Sequence, residues 1–406
     1  MIKVIELDSG VKLILDKMDS VKSVSLGIWC NTGSASENEE EFGISHFIEH
    51  MLFKGTPSRN AYQIVKEMDS LGADINAFTS KERTCFYAKC VDEYLFQAAD
   101  VLCDMIENPL FDSDELEREK QVVIEEINMN ADDPDDVALE TFDNIVLEGT
   151  SLAHPVLGYK QNVNSFNHDM LDKYYSEHYT RDNIAVSIAG SFKEDEVISY
   201  FNKRFNNLKL KSKTRIYGEL SNNKQSVTIY KDIEQAHIVL GLKHVSVTDK
   251  NKPLLTVLST IMGGGMSSRL FQNVREKKGL AYSVYSSNSF YGITGEFGII
   301  AGVAKYRVEE ALDAIKEELD KLKTESISLE EFNTAKQQLK SAYIFSQEST
   351  QSRMRTNGMN YFSLGHCPDQ IEKVSEIDSI TLEQVDACKK YISNYDNYTI
   401  VNVTGK

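Results

Sequence analysis

His46, Glu49 and His50 stand together in the run His46-Phe47-Ile48-Glu49-His50. On a helix, positions i and i+4 lie one above the other on a single face, so both imidazoles can reach one metal ion. Glu49, three residues after His46 and next to His50, can take a proton from a water held there. Two imidazoles and a carboxylate, with a fourth position open to water, form the ligand set of a hydrolytic zinc centre. A neighbouring carboxylate serves such a centre as general base. With 8 His and 62 Asp plus Glu in 406 residues, chance supplies about 0.01 such arrangement per chain. The competing reading is a surface helix with two solvated histidines, and a third ligand would decide against it.

That ligand must come from another element. Asp114 to Asn130 (DELEREKQVVIEEINMN) reads as a helix with an apolar stripe of Leu116, Val123 and Ile127. At about 100° per residue, Glu126 and Glu119 fall about 20° apart and flank that stripe, whereas Glu125 points nearly opposite Val123. The helical face therefore nominates Glu126 and Glu119 over Glu125. Without the histidine pair, a salt-bridged helix face would explain all three.

The chain is longer than one core usually serves, so two domains are expected. A hairpin over Lys3 to Lys17 leads to a strand at Ser23 to Cys30 and the helix Phe42 to Phe53. A helix Asn60 to Leu71, strands Ala73 to Phe78 and Thr84 to Val91, and helices from Glu93 through Leu147 follow. A helix at Met170 to Tyr179, the strand Ile184 to Gly190 and the helix Lys193 to Asn207 close this half. The polar run Lys209 to Lys224 contains the linker, giving domains 1–210 and 224–406 about a linker at 211–223. The order then recurs: strands Val227 to Tyr230 and His237 to Leu242, a helix Leu254 to Ile261, strands Ala281 to Tyr291 and Gly295 to Ala301. Long helices, Val308 to Leu322 and Leu329 to Phe345, precede a last strand, Tyr398 to Val403. Sliding the chain on itself sets Ser25-Leu26-Gly27-Ile28 against Val239-Leu240-Gly241-Leu242, and a near-equal shift sets 117–121 against 333–337. Two agreeing shifts favour duplication. Each half reads as α+β, a mainly antiparallel sheet covered by helices.

Composition narrows the partners. A formal net charge of −18 argues against nucleic acid, which needs a positive field, and would suit basic peptides. No stretch approaches the roughly 18–20 apolar residues of a membrane span. The alternating start, Met1 to Asp8, reads as a first strand rather than a targeting peptide. Six cysteines without a C-x-x-C pair read as reduced thiols of a cytoplasmic protein.

The run Gly43 to Thr56 around the histidine pair resembles the pitrilysin/insulinase zinc peptidases, an inverzincin family. The resemblance covers essentially the whole chain and is strongest to the short branch that includes the catalytic subunit of mitochondrial processing peptidase and its bacterial relatives. It implies Glu126 as third zinc ligand and Glu119 as a carboxylate that orients the site. Gly72-Ala73-Asp74-Ile75-Asn76-Ala77-Phe78-Thr79 resembles the family strand whose exposed edge receives an extended substrate, which assigns substrate contact to Asn76, Ala77 and Phe78. In the second half, Arg275 and Tyr282 match the family's substrate-binding Arg and Tyr, seven residues apart. Tyr282 would hydrogen-bond the scissile carbonyl or its oxyanion, and Arg275 the substrate backbone. The glycines at 263–265 precede no Gly-Lys-Ser/Thr and read as a turn rather than a phosphate loop.

The repeat shift sets Thr260, Gly263 and Gly264 near the positions of His46, Glu49 and His50, and Ala342 near that of Glu126, so one zinc per chain is expected. Short family members pair two chains, which implies a homodimer, or a heterodimer with a paralogue, whose composite site receives Arg275 and Tyr282 from the other subunit. His154, His168, His178, His237, His244 and His366 lack ligand spacing and read as structural or exposed. The expected activity is zinc endopeptidase cleavage of extended or unfolded peptides. The alternatives are a non-catalytic or chaperone-like subunit of a processing-peptidase-type heterodimer, and a metal-binding protein without peptidase activity.

Overall fold

The computed structural model describes residues 2–406. In the first half the strands are β1 (Lys3–Glu6), β2 (Lys12–Lys17), β3 (Ser23–Cys30), β4 (Asp74–Thr79), β5 (Thr84–Val91) and β6 (Ile184–Gly190). Its helices are α1 (Ile44–Leu52), α2 (Ala61–Ser70), α3 (Leu95–Glu107), α4 (Ser113–Asp132), α5 (Pro134–Val146), α6 (Lys160–Ser165), α7 (His168–His178) and α8 (Glu194–Phe201). In the second half β7 (Ser226–Tyr230), β8 (Gln235–His244), β9 (Ala281–Phe290), β10 (Gly295–Ala304) and β11 (Thr399–Thr404) are the strands. α9 (Lys252–Gly263) lies between β8 and β9, and α10 (Val308–Thr324), α11 (Leu329–Ser346), α12 (Thr350–Leu364), α13 (Gln370–Ser379) and α14 (Leu382–Cys388) between β10 and β11.

Two compact units result. The first has a six-stranded sheet in the order β1-β2-β6-β3-β5-β4. β3 runs antiparallel to β5 and β6, and β2 parallel to β6. β3 and β6 are buried on both faces because both faces are covered. On one side Phe47, Ile48, Met51 and Leu52 of α1 join a core with Leu26, Ile28, Phe86 and residues of α3. On the other, Met354 of α12 packs with Trp29, Cys85, Tyr87 and Ala189. A Cβ on Gly27 would stand 2.3 Å from Met354 Sδ, so the Met354 side chain of α12 fills the space left by the glycine.

The second unit has a five-stranded sheet in the order β7-β11-β8-β10-β9. β7 runs parallel to β11, and β8 antiparallel to β11 and β10. The central part of this pattern repeats the first sheet strand for strand. One face holds residues of α9 and α10 in its core. The other holds Ala138, Phe142 and Val146 of α5, packed on Val239, Val401 and Val403. A Cβ on Gly241 would meet Phe142 Cζ at 2.7 Å. Each of the two glycines aligned by the repeat thus has a helix side chain against it, although the nearest atom to Gly241 is Phe297 O of β10, 2.1 Å from such a Cβ.

The fold is α+β in two units, as expected, but the units are not the consecutive stretches 1–210 and 224–406. The first takes Met1–Asn128, His154–Tyr217 and Phe345–Gln370, and the second Met129–Ala153, Gly218–Ile344 and Ile371–Lys406. The physical reason is that α5 completes the cover of β8 and β11, and α12 that of β2, β3 and β6. The expected helical run Glu93 to Leu147 divides into α3, α4 and α5, with Asp133 capping the amides of Asp135 and Asp136 beside Pro134. The linker stretch forms neither helix nor strand. Arg215 within it donates to Asn31 O at 2.7 Å and Ser36 Oγ at 3.1 Å, which ties that stretch to the first unit. All six cysteines are free. Among the described residues no helix is long and apolar enough to cross a membrane.

Candidate metal centre

The helix α1 buries Ile44, Phe47, Ile48, Met51 and Leu52, spaced at three and four residues. That leaves His46, Glu49 and His50 together on its other face. Its start is fixed by Glu37, a buried carboxylate that accepts from the amides of Gly43 and Ser45 at 2.8 Å each. The same carboxylate lies 3.2 Å from His154 Nε2, and the His154 ring stacks on Phe42 with centroids 4.0 Å apart. Gly43 has φ +93°, and a Cβ there would press on Leu157 O at 2.5 Å. The His154 loop and the entry to α1 are therefore built against each other.

α4 supplies the remaining carboxylates. Leu116 and Val123 are buried, Ile127 packs at the core's edge, and Glu125 faces solvent. Glu126 Oε2 lies 3.7 Å from His46 Nε2 and 3.5 Å from His50 Nε2. One ligand atom from each of His46, His50 and Glu126 falls within a 4.8 Å group, the only such group of three or more among the described residues. Glu119, 3% exposed, instead reaches the back of His50: its Oε1 is 2.7 Å from Nδ1. Its Oε2 takes Lys54 Nζ at 2.5 Å. The structure thus separates the two glutamates that helical geometry left equal.

Each charge state follows from its surroundings. Burial, with the neighbouring His50, lowers His46 to about 3, so this ring is neutral at ordinary pH. Burial opposes the charge of Glu119, yet hydrogen bonds from His50 and Lys54 outweigh it and hold its carboxyl below the usual range. Burial likewise opposes protonation of His50, but Glu119 and Glu126 raise it overall. Burial pushes Glu49 upward, against a hydrogen bond from Thr79. Nδ1 of His46 is buried without a partner, so the two rings are held unequally.

β4 is the edge of the first sheet and pairs only with β5. Asn76 is exposed, and Ala77 and Phe78 are partly covered. Asn76 Oδ1 accepts from the amide of Ala77 at 2.7 Å. Thr79, the last residue of the strand, donates through Oγ1 to Glu49. Sequence reasoning missed Thr79, Lys54, Glu37 and the role of His154. Their signals were faint: Thr79 ends the strand already singled out, and Lys54 follows the helix by two residues.

Arg275 and Tyr282 belong to the second unit. Arg275 lies on a π-helical turn over Phe271–Lys277, with its Cζ 4.7 Å from the Phe271 ring and 6.0 Å from the Tyr282 ring. Tyr282 is 79% exposed on β9, the edge strand of its sheet. The structure brings these two together as a pair. Thr260 and Gly263 lie in α9 and Gly264 directly after it, and none offers a ligand.

Residues 12–160 match the model of the insulinase family (peptidase family M16), and residues 165–339 match that of the peptidase M16 inactive domain. The chain is 40% identical to the uncharacterized zinc protease YmxG of Bacillus subtilis, over 98% of this chain and 97% of that one. The chain belongs to the insulinase (M16) family. An uncharacterized zinc protease of Rickettsia felis is 36% identical, over 91% of this chain and 90% of that one. Among solved structures, a Helicobacter pylori protease superposes with a TM-score of 0.91 at 21% identity, covering 100% of this chain and 99% of that one. A peptidase M16 inactive domain from Pseudomonas fluorescens gives 0.92 at 19%, covering 100% and 98%. These structures share the fold.

The M16 relatives named zinc proteases direct attention to zinc, and the donors suit it. Neighbouring ligands in a tetrahedral zinc site stand about 3.3 Å apart, close to the 3.5 and 3.7 Å separations of Glu126 from the two rings. Two neutral-capable imidazoles and one carboxylate are the donor types zinc takes in hydrolytic sites.

Proposed function

We propose that this chain is a zinc metalloendopeptidase that hydrolyses extended or unfolded peptides. The observation that carries the reading is the meeting of His46, His50 and Glu126 in one 4.8 Å group, with Glu49 beside it and hydrogen-bonded to the end of a free-edged strand.

A zinc ion held by His46, His50 and Glu126 would supply Lewis-acid polarisation of water and of the scissile carbonyl. The remaining work falls to this chain's side chains. The outer edge of β4, at Asn76, Ala77 and Phe78, would hold the peptide main chain by β-augmentation, largely independent of side chains. Glu49 would take a proton from the attacking water as the new C–O bond forms. It would return that proton to the leaving amine as the C–N bond breaks. The raised position of its carboxyl, set by burial, suits a group that must both accept and donate. Glu119 and Lys54 would fix the tautomer and tilt of His50.

Arg275 and Tyr282 would serve the site of a second chain, in a homodimer or a paralogue heterodimer, with Tyr282 donating to the oxyanion and Arg275 holding backbone carbonyls. A non-catalytic subunit is disfavoured by the presence of every ligand and of Glu49. The test is to strip the metal with a chelator and assay an internally quenched peptide before and after stoichiometric zinc. Cleavage that disappears and returns supports the reading, and cleavage indifferent to chelation overturns it. Mixing Glu49→Gln chains with Tyr282→Phe chains should restore part of the activity. No restoration would remove the shared site.

A further inference from the structure

On the face of the first sheet opposite α1, Arg355 of α12 lies over two rings. Its Cζ is 5.2 Å from the Phe78 centroid and 4.6 Å from that of Tyr87, and its Nη2 donates to Tyr87 Oη at 2.6 Å. Aromatic faces attract a guanidinium, but they do not satisfy its donors. Nε of Arg355 is buried without a partner. Among the described residues no carboxylate pairs with this guanidinium. That is unusual company for a chain of net charge −18. Arg59, Arg204, Arg269 and Arg353 each hold at least one carboxylate.

The position is rigid. Asp16, 1% exposed, receives Arg353 Nε at 2.7 Å and Asn357 Nδ2 at 2.9 Å, which anchors the residues two before and two after Arg355. Met354 fills the notch left by Gly27, and Gly358 lies against Trp29. The cation is therefore presented from a fixed helix rather than swept over a surface.

What it is presented to follows from strand alternation. Asn76 is paired with Tyr87 and Phe78 with Cys85. Asn76 and Phe78 share the α12 face, while Thr79 turns to the other face and to Glu49. A peptide added to the free edge of β4 would send every second side chain to the Arg355 face.

We propose that Arg355 forms a carboxylate-recognition subsite beside β4, reading an acidic side chain or the terminal carboxylate of an extended peptide. The proposal rests on the peptidase reading of the metal centre. The rival is that the guanidinium only cements α12 to the sheet.

The experiment uses the full zinc-loaded chain and a panel of internally quenched peptides in which Glu or Gln is walked through successive positions. A neutral peptide with a free or an amidated C-terminus completes the panel. In wild type, Glu at alternate positions should raise kcat/KM over Gln by about tenfold, the size of a charge-assisted contact. Arg355→Gln should bring that ratio close to one, and Arg355→Glu should invert it in favour of Gln. An effect of the free carboxylate alone would identify the peptide terminus as the source. The same Glu-to-Gln ratio is to be read as binding, by fluorescence anisotropy, on Glu49→Gln chains with and without Arg355→Gln. If Arg355→Gln does not fold, Arg355→Lys replaces it and should lower the ratio, since an ammonium lacks the planar fork. A ratio that survives the substitution, or a wild type with no preference, overturns the proposal. Wild type that binds the peptides but cleaves none overturns the peptidase reading instead, and the binding ratio still judges Arg355.

Discussion

Glu119 Oε1 lies 2.7 Å from Nδ1 of His50, on the side of the ring away from Glu126. One carboxylate therefore orients a ligand while another completes the ligand set. Lys54, 2.5 Å from the other oxygen of Glu119, neutralises the buried charge that this arrangement requires. A buried carboxylate with two cationic or cation-capable partners stays ionised, which keeps a proton on His50 Nδ1 and leaves Nε2 free to ligate.

Glu119→Gln removes that charge while keeping the shape. Zinc affinity should weaken by about tenfold or more, the usual effect of losing a carboxylate behind a ligating imidazole. Competition against a fluorescent chelator measures it. An unchanged affinity would reduce Glu119 to a structural residue.

Thr79→Val keeps a β-branched side chain at the end of β4 and deletes the hydroxyl that meets Glu49. The base would lose its orientation, so kcat should fall by about tenfold with little change in KM. Steady-state kinetics on one peptide separate this from a loss of substrate binding, in which KM would rise at constant kcat.

Glu37→Gln leaves the entry to α1 with a neutral acceptor and disturbs the contact with His154. Burial pushes the Glu37 carboxyl up, against the hydrogen bonds from His154 and the two amides, so each bond is taken at the ordinary net worth of about 0.5–1.5 kcal/mol. A loss of that order in denaturant-measured stability is expected, together with weaker zinc retention because His46 follows Ser45 directly. Stability equal to wild type would show that the cap is dispensable.

The sequence exposed what is local. His46, Glu49 and His50 are one turn apart, so helical geometry alone joins them, and the face of α4 singled out Glu126 and Glu119 over Glu125. Separating those two needed their distances from His50, which depend on how α4 crosses α1. Thr79, Glu37 and Arg355 were invisible because each reaches its partner from another element: Thr79 is 30 positions from Glu49, and Arg355 is 268 from Tyr87. The α12 stretch, TQSRMRTNGMNYFSL, hid for a different reason. It packs through Met354, Asn357 and Gly358 and a salt bridge to Asp16, so it carries no long apolar stripe. The same gap explains the domain boundary, since α12 is the piece that returns to the first sheet. Two agreeing shifts favoured duplication in the sequence, and five strands of each sheet share one order and sense.

The central claim is that Glu49 moves the proton at a zinc site built by His46, His50 and Glu126. Its most direct test is one measurement on Glu49→Gln: zinc content and peptide cleavage in the same preparation. Glu49→Gln should hold close to one zinc per chain, as in wild type, with kcat reduced by about a thousandfold or more. Cleavage at the wild-type rate with zinc retained would contradict it.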